Sequence, residues 1–393
     1  MSYSVKFVQA DEVLLGEFDA LAERSYGHRV EDIMLLHQYA DTRVALRDGR
    51  VVAGGMGFLI PQIFGGQPVP SACLASECVA PEERGGVQFL AVRMVEERIR
   101  ALRERGAVLA TIWTSSNGYA RRLGWEAPAQ VFAWSVPADE LKRSFEPGDL
   151  DITYGDTRDD VDQFQRDLAL HWNGPLSRPA WWSSWQQEKH SLTTYRFSRK
   201  GQPLSGFLAL TPKRREYHGS ELVVQEFWAG DKETASAMLS FLGGHNSTVD
   251  SVRFERTSLP PYPILQHNLH RNGAAVAHAK SGWMIRILDL QEAVRLRGWP
   301  AGLDATVPIE VGSEGGDSYD RFVLRISSGA AELSPSRVAS EVTLTRRQFA
   351  AWYAGGYGTV TSARLSGVRG TPEMLSLLVR ATADREPWMP DHF

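Results

Sequence analysis

Apolar positions in the first third of the chain switch between a helical and an extended period. Val13, Leu14, Phe18 and Leu21 share one helical face within residues 11–25. Asp48-Gly49 then marks a hairpin between the apolar runs at 44–46 and 51–53. Extended segments follow at 56–60 and 74–79. The helical period returns with Val87, Leu90, Met94, Val95, Ile99 and Leu102, charges lying between them. Residues 108–113 form a further apolar strand, ending at the loop Ser115-Ser116-Asn117-Gly118. Helix, antiparallel meander, strand, helix, strand is an α+β layout, with the turn before the second helix in the middle of the sheet.

A second unit begins near Pro147-Gly148, with a helix at 161–172 and strands at 204–210 and 222–229. The latter strand runs directly into a helix at 231–242. A third unit begins near Gly282, with strands at 306–311, 321–326 and 341–345 and helices at 347–353 and 372–381. The expected domains are therefore residues 1–146, 147–281 and 282–393. No short-period repeat or low-complexity tract interrupts them.

Composition narrows the class. A chain of 393 residues exceeds one ordinary core, and 43% apolar with 23% charged residues describes a globular protein. No run of about twenty apolar residues predicts a membrane span. Residues 1–10 lack the basic start and apolar core of a secretory signal. Cys73 and Cys78 are the only cysteines, so no disulfide framework is expected and the cytoplasm is the expected location. A net charge of −4 disfavours nonspecific nucleic-acid binding and is compatible with a cationic amine ligand. The histidines lack convergent Cys or carboxylate spacing, so no metal site is expected.

Candidate chemistry concentrates between Cys78 and Trp125. An apolar strand leads into Arg84-Gly85-Gly86-Val87 and then a helix, a way to bring backbone N–H groups to a pyrophosphate. The segment Asn117-Gly118-Tyr119-Ala120-Arg121-Arg122-Leu123-Gly124-Trp125 follows after the next strand. The two parts together resemble a GCN5-related N-acetyltransferase (GNAT). Across the whole length the chain is most similar to the enhanced intracellular survival (Eis) acetyltransferases. The segment Trp283-Met284-Ile285-Arg286-Ile287, followed by Ala293 and Arg297-Gly298, resembles the entry to that family's third domain, and the tail ends Pro387-Trp388-Met389-Pro390-Asp391-His392-Phe393.

That resemblance implies two GNAT-like domains, the second degenerate because its strand-helix junction has no Arg-x-x-Gly loop, followed by a sterol-carrier-like α/β domain. It implies acetyl-coenzyme A as co-substrate, a primary amine of a small molecule (aminoglycoside-like, polyamine or lysine-like) as acceptor, and a hexamer. It places the donor against Glu77, Cys78, Val79, Arg84, Gly85, Gly86, Val87, Gln88, Phe89, Leu90, Ser115 and Ser116, with backbone N–H groups near Cys78 and Val79 holding the oxyanion. Tyr119, read as lying in a Gly-flanked turn, matches the general acid that protonates the departing thiolate. A tyrosine packed with its hydroxyl on water would leave the same pattern.

The terminal carboxylate of Phe393 matches the family's base. A frayed end is the ordinary alternative, but Pro387, Trp388, Met389 and Phe393 favour burial. Asp391 and His392 would then flank the acceptor amine. Glu77 is a rival base or a solvent-facing strand residue, since alternation leaves its direction open. His28 sits in the substrate-side loop, where a solvated loop histidine is the alternative. The group Trp172, Trp181, Trp182 and Trp185 reads as packing, with Trp182 a further candidate for the acceptor pocket. One departure is plain: the signature Arg/Gln-x-x-Gly-x-Gly/Ala carries Val87 where its first glycine belongs. Two rival functions follow, an acyltransferase fold turned to another donor or reaction, and a non-enzymatic protein holding a hydrophobic ligand in its third domain.

Overall fold

The computed structural model describes residues 5–30, 32–85, 89–155, 159–214, 220–313 and 318–393, with backbone alone at 212–214. They form two compact units. The first comprises Met1–Pro128, Trp283–Asp384 and His392–Phe393, and the second Ala129–Gly282 and Arg385–Asp391.

The first unit contains a six-stranded sheet in the order Lys6–Gln9, Asp41–Arg47, Arg50–Leu59, Ser71–Val79, Leu109–Trp113, Trp283–Ile287. The hairpin falls where expected, with Asp48 and Gly49 both at positive φ (51° and 77°), as a tight two-residue turn requires. Helix Glu12–Tyr26 starts at Asp11, whose carboxylate accepts from the Leu14 N–H at 2.9 Å. Helix Leu90–Glu104 buries Leu90, Met94, Val95, Ile99 and Leu102, the face given by the apolar period. It begins three residues later than that period suggests, because Phe89 adopts a left-handed φ of 44°. Gly86, Val87 and Gln88 lie outside the described residues.

Trp283–Ile287 corrects the sequence reading of that segment as an entry to the third domain. It pairs antiparallel with Leu109–Trp113, from Trp283 opposite Trp113 to Ile287 opposite Leu109. The Trp283 Nε1–H donates to Thr111 Oγ1 at 2.7 Å, and both residues are buried. This unit also holds a five-stranded sheet in the order Ala330–Pro335, Tyr319–Ser327, Ala305–Gly312, Val342–Leu344, Arg369–Gly370. Helices Arg346–Tyr353 and Pro372–Arg380 pack there, with Trp352 and Tyr353 fully buried.

The second unit holds a seven-stranded sheet: Val276–Ala279, Phe132–Pro137, Ser251–Phe254, Ser220–Ala229, Leu204–Arg214, Thr193–Ser198, Asp151–Tyr154. Phe132–Pro137 lies between Val276–Ala279 and Ser251–Phe254, so the sequence-drawn break before residue 147 falls beyond a strand of this sheet. Helix Lys232–Gly243 follows Ser220–Ala229 directly, capped by Asp231 on the Thr234 N–H at 2.8 Å. Residues Arg385–Asp391 are fastened to this unit. The Asn173 N–H donates to Glu386 O (3.0 Å) and the Trp388 N–H to Asn173 O (2.8 Å). Trp388 is 3% exposed; its indole N–H reaches Thr257 O at 2.7 Å and its ring lies 4.6 Å from that of Trp228.

Candidate active site

Ser71–Val79 and Leu109–Trp113 run parallel only from Ser71 opposite Leu109 to Leu74 opposite Ile112. Beyond Leu74 the first strand continues without that partner. Its ladder with Arg50–Leu59 slips one residue between Gly54 and Met56, and Ser76 takes a left-handed φ of 51°. The diverging strands leave a cleft of about 120 Å³ bordered by Glu77, Val92, Val95, Thr114, Ser116 and Tyr119.

Tyr119 lies in the first turn of a short helix, Asn117–Arg122, rather than in an irregular turn. It is 37% exposed and lines the cleft with Glu77 and Ser116. Asn117, the next residue after Ser116, has its Oδ1 shielded from solvent with no donor among the described residues. Ser115 and Ser116 are exposed, and Thr114 Oγ1 accepts the Ser116 N–H at 3.0 Å.

Glu77 turns inward. Its carboxylate pairs with the guanidinium of Arg98, a fully buried side chain that also donates to Met56 O (2.9 Å) and Ala75 O (3.1 Å). Burial raises the Glu77 carboxyl above the ordinary range, and the Arg98 charge opposes that shift. Cys78 is buried, and desolvation with the nearby Glu77 charge pushes its thiol up to about 12. Tyr26, whose hydroxyl reaches Ser76 O at 3.5 Å, is likewise raised by burial.

Backbone direction distinguishes Cys78 from Val79. The Ala80 N–H bonds Val52 O at 2.9 Å, and alternate strand residues face opposite edges, so Val79 turns its backbone groups to the other edge. There Val79 O accepts from Arg84 Nε (3.2 Å) and Ser25 Oγ (3.3 Å). Arg84 Nη2 also donates to Ser25 O at 2.9 Å, so this exposed arginine ties the exit of the strand to the end of helix Glu12–Tyr26. Gly85 follows at φ 74°. Phe89 caps helix Leu90–Glu104 without any side-chain hydrogen bond, leaving its first N–H groups without a side-chain cap.

The remaining sequence candidates separate. His392 packs against Trp113, the last residue of its strand, with ring centroids 4.3 Å apart and the planes tilted by 38°, and Phe393 is half-buried in the same unit. Asp391 is buried in the second unit; its carboxylate accepts the Leu176 N–H (2.7 Å) and Arg178 Nε (2.7 Å). Burial raises the Asp391 carboxyl, with Arg178 opposing. Arg178 also binds Glu226 at 2.8 Å. His28 is exposed, its Nδ1 3.0 Å from Arg29 O. Trp182 is 1% exposed within the second unit, packed against Trp181 and Trp185. The Arg98 contact was beyond sequence reasoning: an arginine amid an apolar helical face was its one trace.

Among the described residues no helix is long and apolar enough to cross a membrane. Residues 11–127 and 174–287 match two families each described as an acetyltransferase (GNAT) domain, and residues 290–390 match a sterol carrier protein domain. The chain is thus a GNAT-type N-acetyltransferase with two GNAT domains followed by a sterol-carrier-like domain. An uncharacterized N-acetyltransferase of Streptomyces avermitilis is 26% identical over 383 residues, covering 90% of this chain and 88% of that protein. One from Streptomyces griseus is 24% identical over 382 residues, covering 90% and 89%. Among solved structures, a GCN5-related N-acetyltransferase from Anabaena variabilis shares the fold at a TM-score of 0.86, with 22% identity over 99% of this chain and all (100%) of that one. Eis1 from Mycobacterium abscessus shares it at 0.76, with 17% identity over 99% and 100%.

Proposed function

We propose that the chain is an acetyl-coenzyme A-dependent N-acetyltransferase of the Eis type, acting on a primary amine of a small molecule. The observation that carries this reading is the convergence of Glu77, Ser116 and Tyr119 on one cleft where the two parallel strands diverge. Coenzyme A, when bound, supplies the acetyl group as a thioester. Two features suit it: the narrow cleft and the start of helix Leu90–Glu104, which has no side-chain cap.

The protein's own groups divide the work. Arg84, Gly85 and the start of helix Leu90–Glu104 take the donor's pyrophosphate. The Val79 N–H, by its direction, is a better oxyanion donor than that of Cys78. Tyr119 gives its phenolic proton to the departing sulfur. The Phe393 carboxylate takes the acceptor's proton; the contact of the preceding His392 with Trp113 supports this. Asp391 acts through Arg178 to hold the preceding tail. Glu77, held by Arg98, is the reserve base. A hexamer accompanies this reading by family likeness.

The test is mass spectrometry of a panel of amines incubated with enzyme and acetyl-coenzyme A. Tyr119→Phe lowers turnover roughly 10²–10⁴-fold with donor affinity kept. One glycine added after Phe393 moves the carboxylate about 3.5 Å and abolishes activity at an unchanged melting temperature. Full activity in the extended chain transfers the base role to Glu77. One observation favours a second reading, a fold turned to a different acyl donor: Val87 replaces the first signature glycine. Absence of acetyl-coenzyme A binding by calorimetry would decide for it.

A further inference from the structure

Tyr119 is carried by an element that holds itself poorly. Helix Asn117–Arg122 has six residues, none of them buried, and its cap residue Ser116 makes no side-chain hydrogen bond to it. A helix shorter than about twelve residues is marginal in water, so contacts outside it must fix its direction. At its far end Gly124, at φ 87°, turns the chain, and Trp125, 2% exposed, enters the core. Those contacts hold the last turn, whereas Tyr119 stands in the first.

Glu126 carries the fixing outward. Its backbone exchanges both hydrogen bonds with Ile285, at 3.0 and 2.9 Å. Its carboxylate is shared. Oε1 accepts from Arg121 Nε at 2.8 Å and from the Ala127 N–H at 3.1 Å; Oε2 accepts from Arg347 Nε at 3.0 Å and Nη2 at 2.6 Å. Burial would raise this carboxyl, but the bonds from Arg121 and Arg347 hold it below the ordinary range, so it stays charged. Arg121 belongs to the Tyr119 helix, and Arg347 to the sterol-carrier-like domain, in the first turn of Arg346–Tyr353. A helix start disfavours a cation, and that turn has no acidic residue of its own. Glu126 opposes the Arg347 charge there. Just past the other end of the same helix the chain meets this segment again: a Cβ on Gly356 would lie 2.8 Å from Pro128 O.

We propose that Arg347 is a positioning residue for acetyl transfer: through Glu126 and Arg121 it fixes the helix that presents Tyr119 to the donor cleft. This rests on the reading of Tyr119 as the acid. An arginine suits the task because its planar fork sets a direction as well as a charge. Arg121 and Arg347 are 42% and 44% exposed, and ion pairs at such sites are worth little to folding. Their loss should therefore loosen a direction without unfolding the protein.

Arg347→Ala and Glu126→Gln are compared in the full chain with Arg100→Ala, which removes a surface guanidinium paired with Glu97 and Glu104 on another helix. Hydrogen exchange read by mass spectrometry should be several-fold faster across 117–122 in the first two and unchanged there in the third. Strand Leu109–Trp113 should stay protected alike in all three. Turnover is followed as thiol release from acetyl-coenzyme A with a panel amine that the wild type acetylates. It should fall roughly tenfold to hundredfold with the donor KM kept, since a misplacement of about 1 Å is enough. Arg347→Lys should recover part of the loss. In a Tyr119→Phe background, Arg347→Ala should cost little more, because the group it positions has gone. Unchanged exchange at 117–122 in both variants overturns the proposal. An equal loss of turnover with and without the Tyr119 hydroxyl overturns it too, by making the contact a general support of the fold. Wild-type turnover in Tyr119→Phe sinks the acid assignment instead, and the exchange result then decides whether Arg347 holds the helix.

Discussion

In the first unit, Ser71–Val79 leaves its parallel partner after Leu74; in the second, Ser220–Ala229 leaves its partner Ser251–Phe254 after Val224. Both diverging segments carry a glutamate bound to a buried arginine, Glu77 with Arg98 and Glu226 with Arg178. They differ in what lies beyond the last paired residue. In the first unit there is a cleft bordered by Glu77 and Tyr119. In the second, Trp388 touches Trp228 on one strand and bonds Thr257 just past the other. The same splayed strands make a ligand site where the gap is left open and a tail anchor where an indole closes it. A GNAT sheet by itself therefore does not define a donor site.

The contrast can be broken from either side. Trp388→Ala should cost about 3–5 kcal/mol, the usual loss for a buried aromatic, read as a lowered midpoint of chemical denaturation. A loss below about 1 kcal/mol would mean that the indole is a passenger. The reciprocal change, Val92→Trp, places an indole at the edge of the open cleft. It should weaken acetyl-coenzyme A binding by about 1–3 kcal/mol through overpacking, with the fold retained. Normal donor affinity would remove the cleft from the proposed site. Thr257→Val keeps shape and deletes the hydroxyl that bonds Met389 O, so about 1 kcal/mol of stability should go.

The smallest effect concerns Cys78, next to Glu77 on the strand that borders the open cleft. Its folded pKa is raised to about 12, so the thiol's stabilising contribution is full below the ordinary thiol value and is lost as pH rises toward 12. Near neutral pH, iodoacetamide should leave the native protein unmodified and label it after denaturation. Rapid native labelling would show that the strand is open to solvent.

Much of this contrast was legible beforehand, and its limits are physical. Periodicity located helix Leu90–Glu104 and the strands around it because burial on one face leaves a local record. The missing Arg-x-x-Gly loop already set the second unit apart. Partners were another matter. Alternation marks Trp283–Ile287 as extended but cannot say that it adds to a sheet whose neighbouring strand ended at Trp113. The direction of Glu77 depended on a slip in register and a left-handed Ser76, which the residue types alone do not encode. Trp388 could be read as apolar and buried; the gap it closes is formed by residues more than a hundred positions earlier.

The Trp283–Ile287 strand also sets a schedule for synthesis. The edge of Leu109–Trp113 that it covers leaves the ribosome long before its partner exists. At roughly 5–20 residues per second, that edge waits on the order of ten to forty seconds, its backbone N–H and C=O groups able to pair with another nascent chain. The N-terminal sheet thus cannot be finished in the order in which it is translated. Shortening or stalling translation before residue 287 should yield chains whose acetyltransferase sheet still has an uncovered edge, and these would be the natural clients of a chaperone.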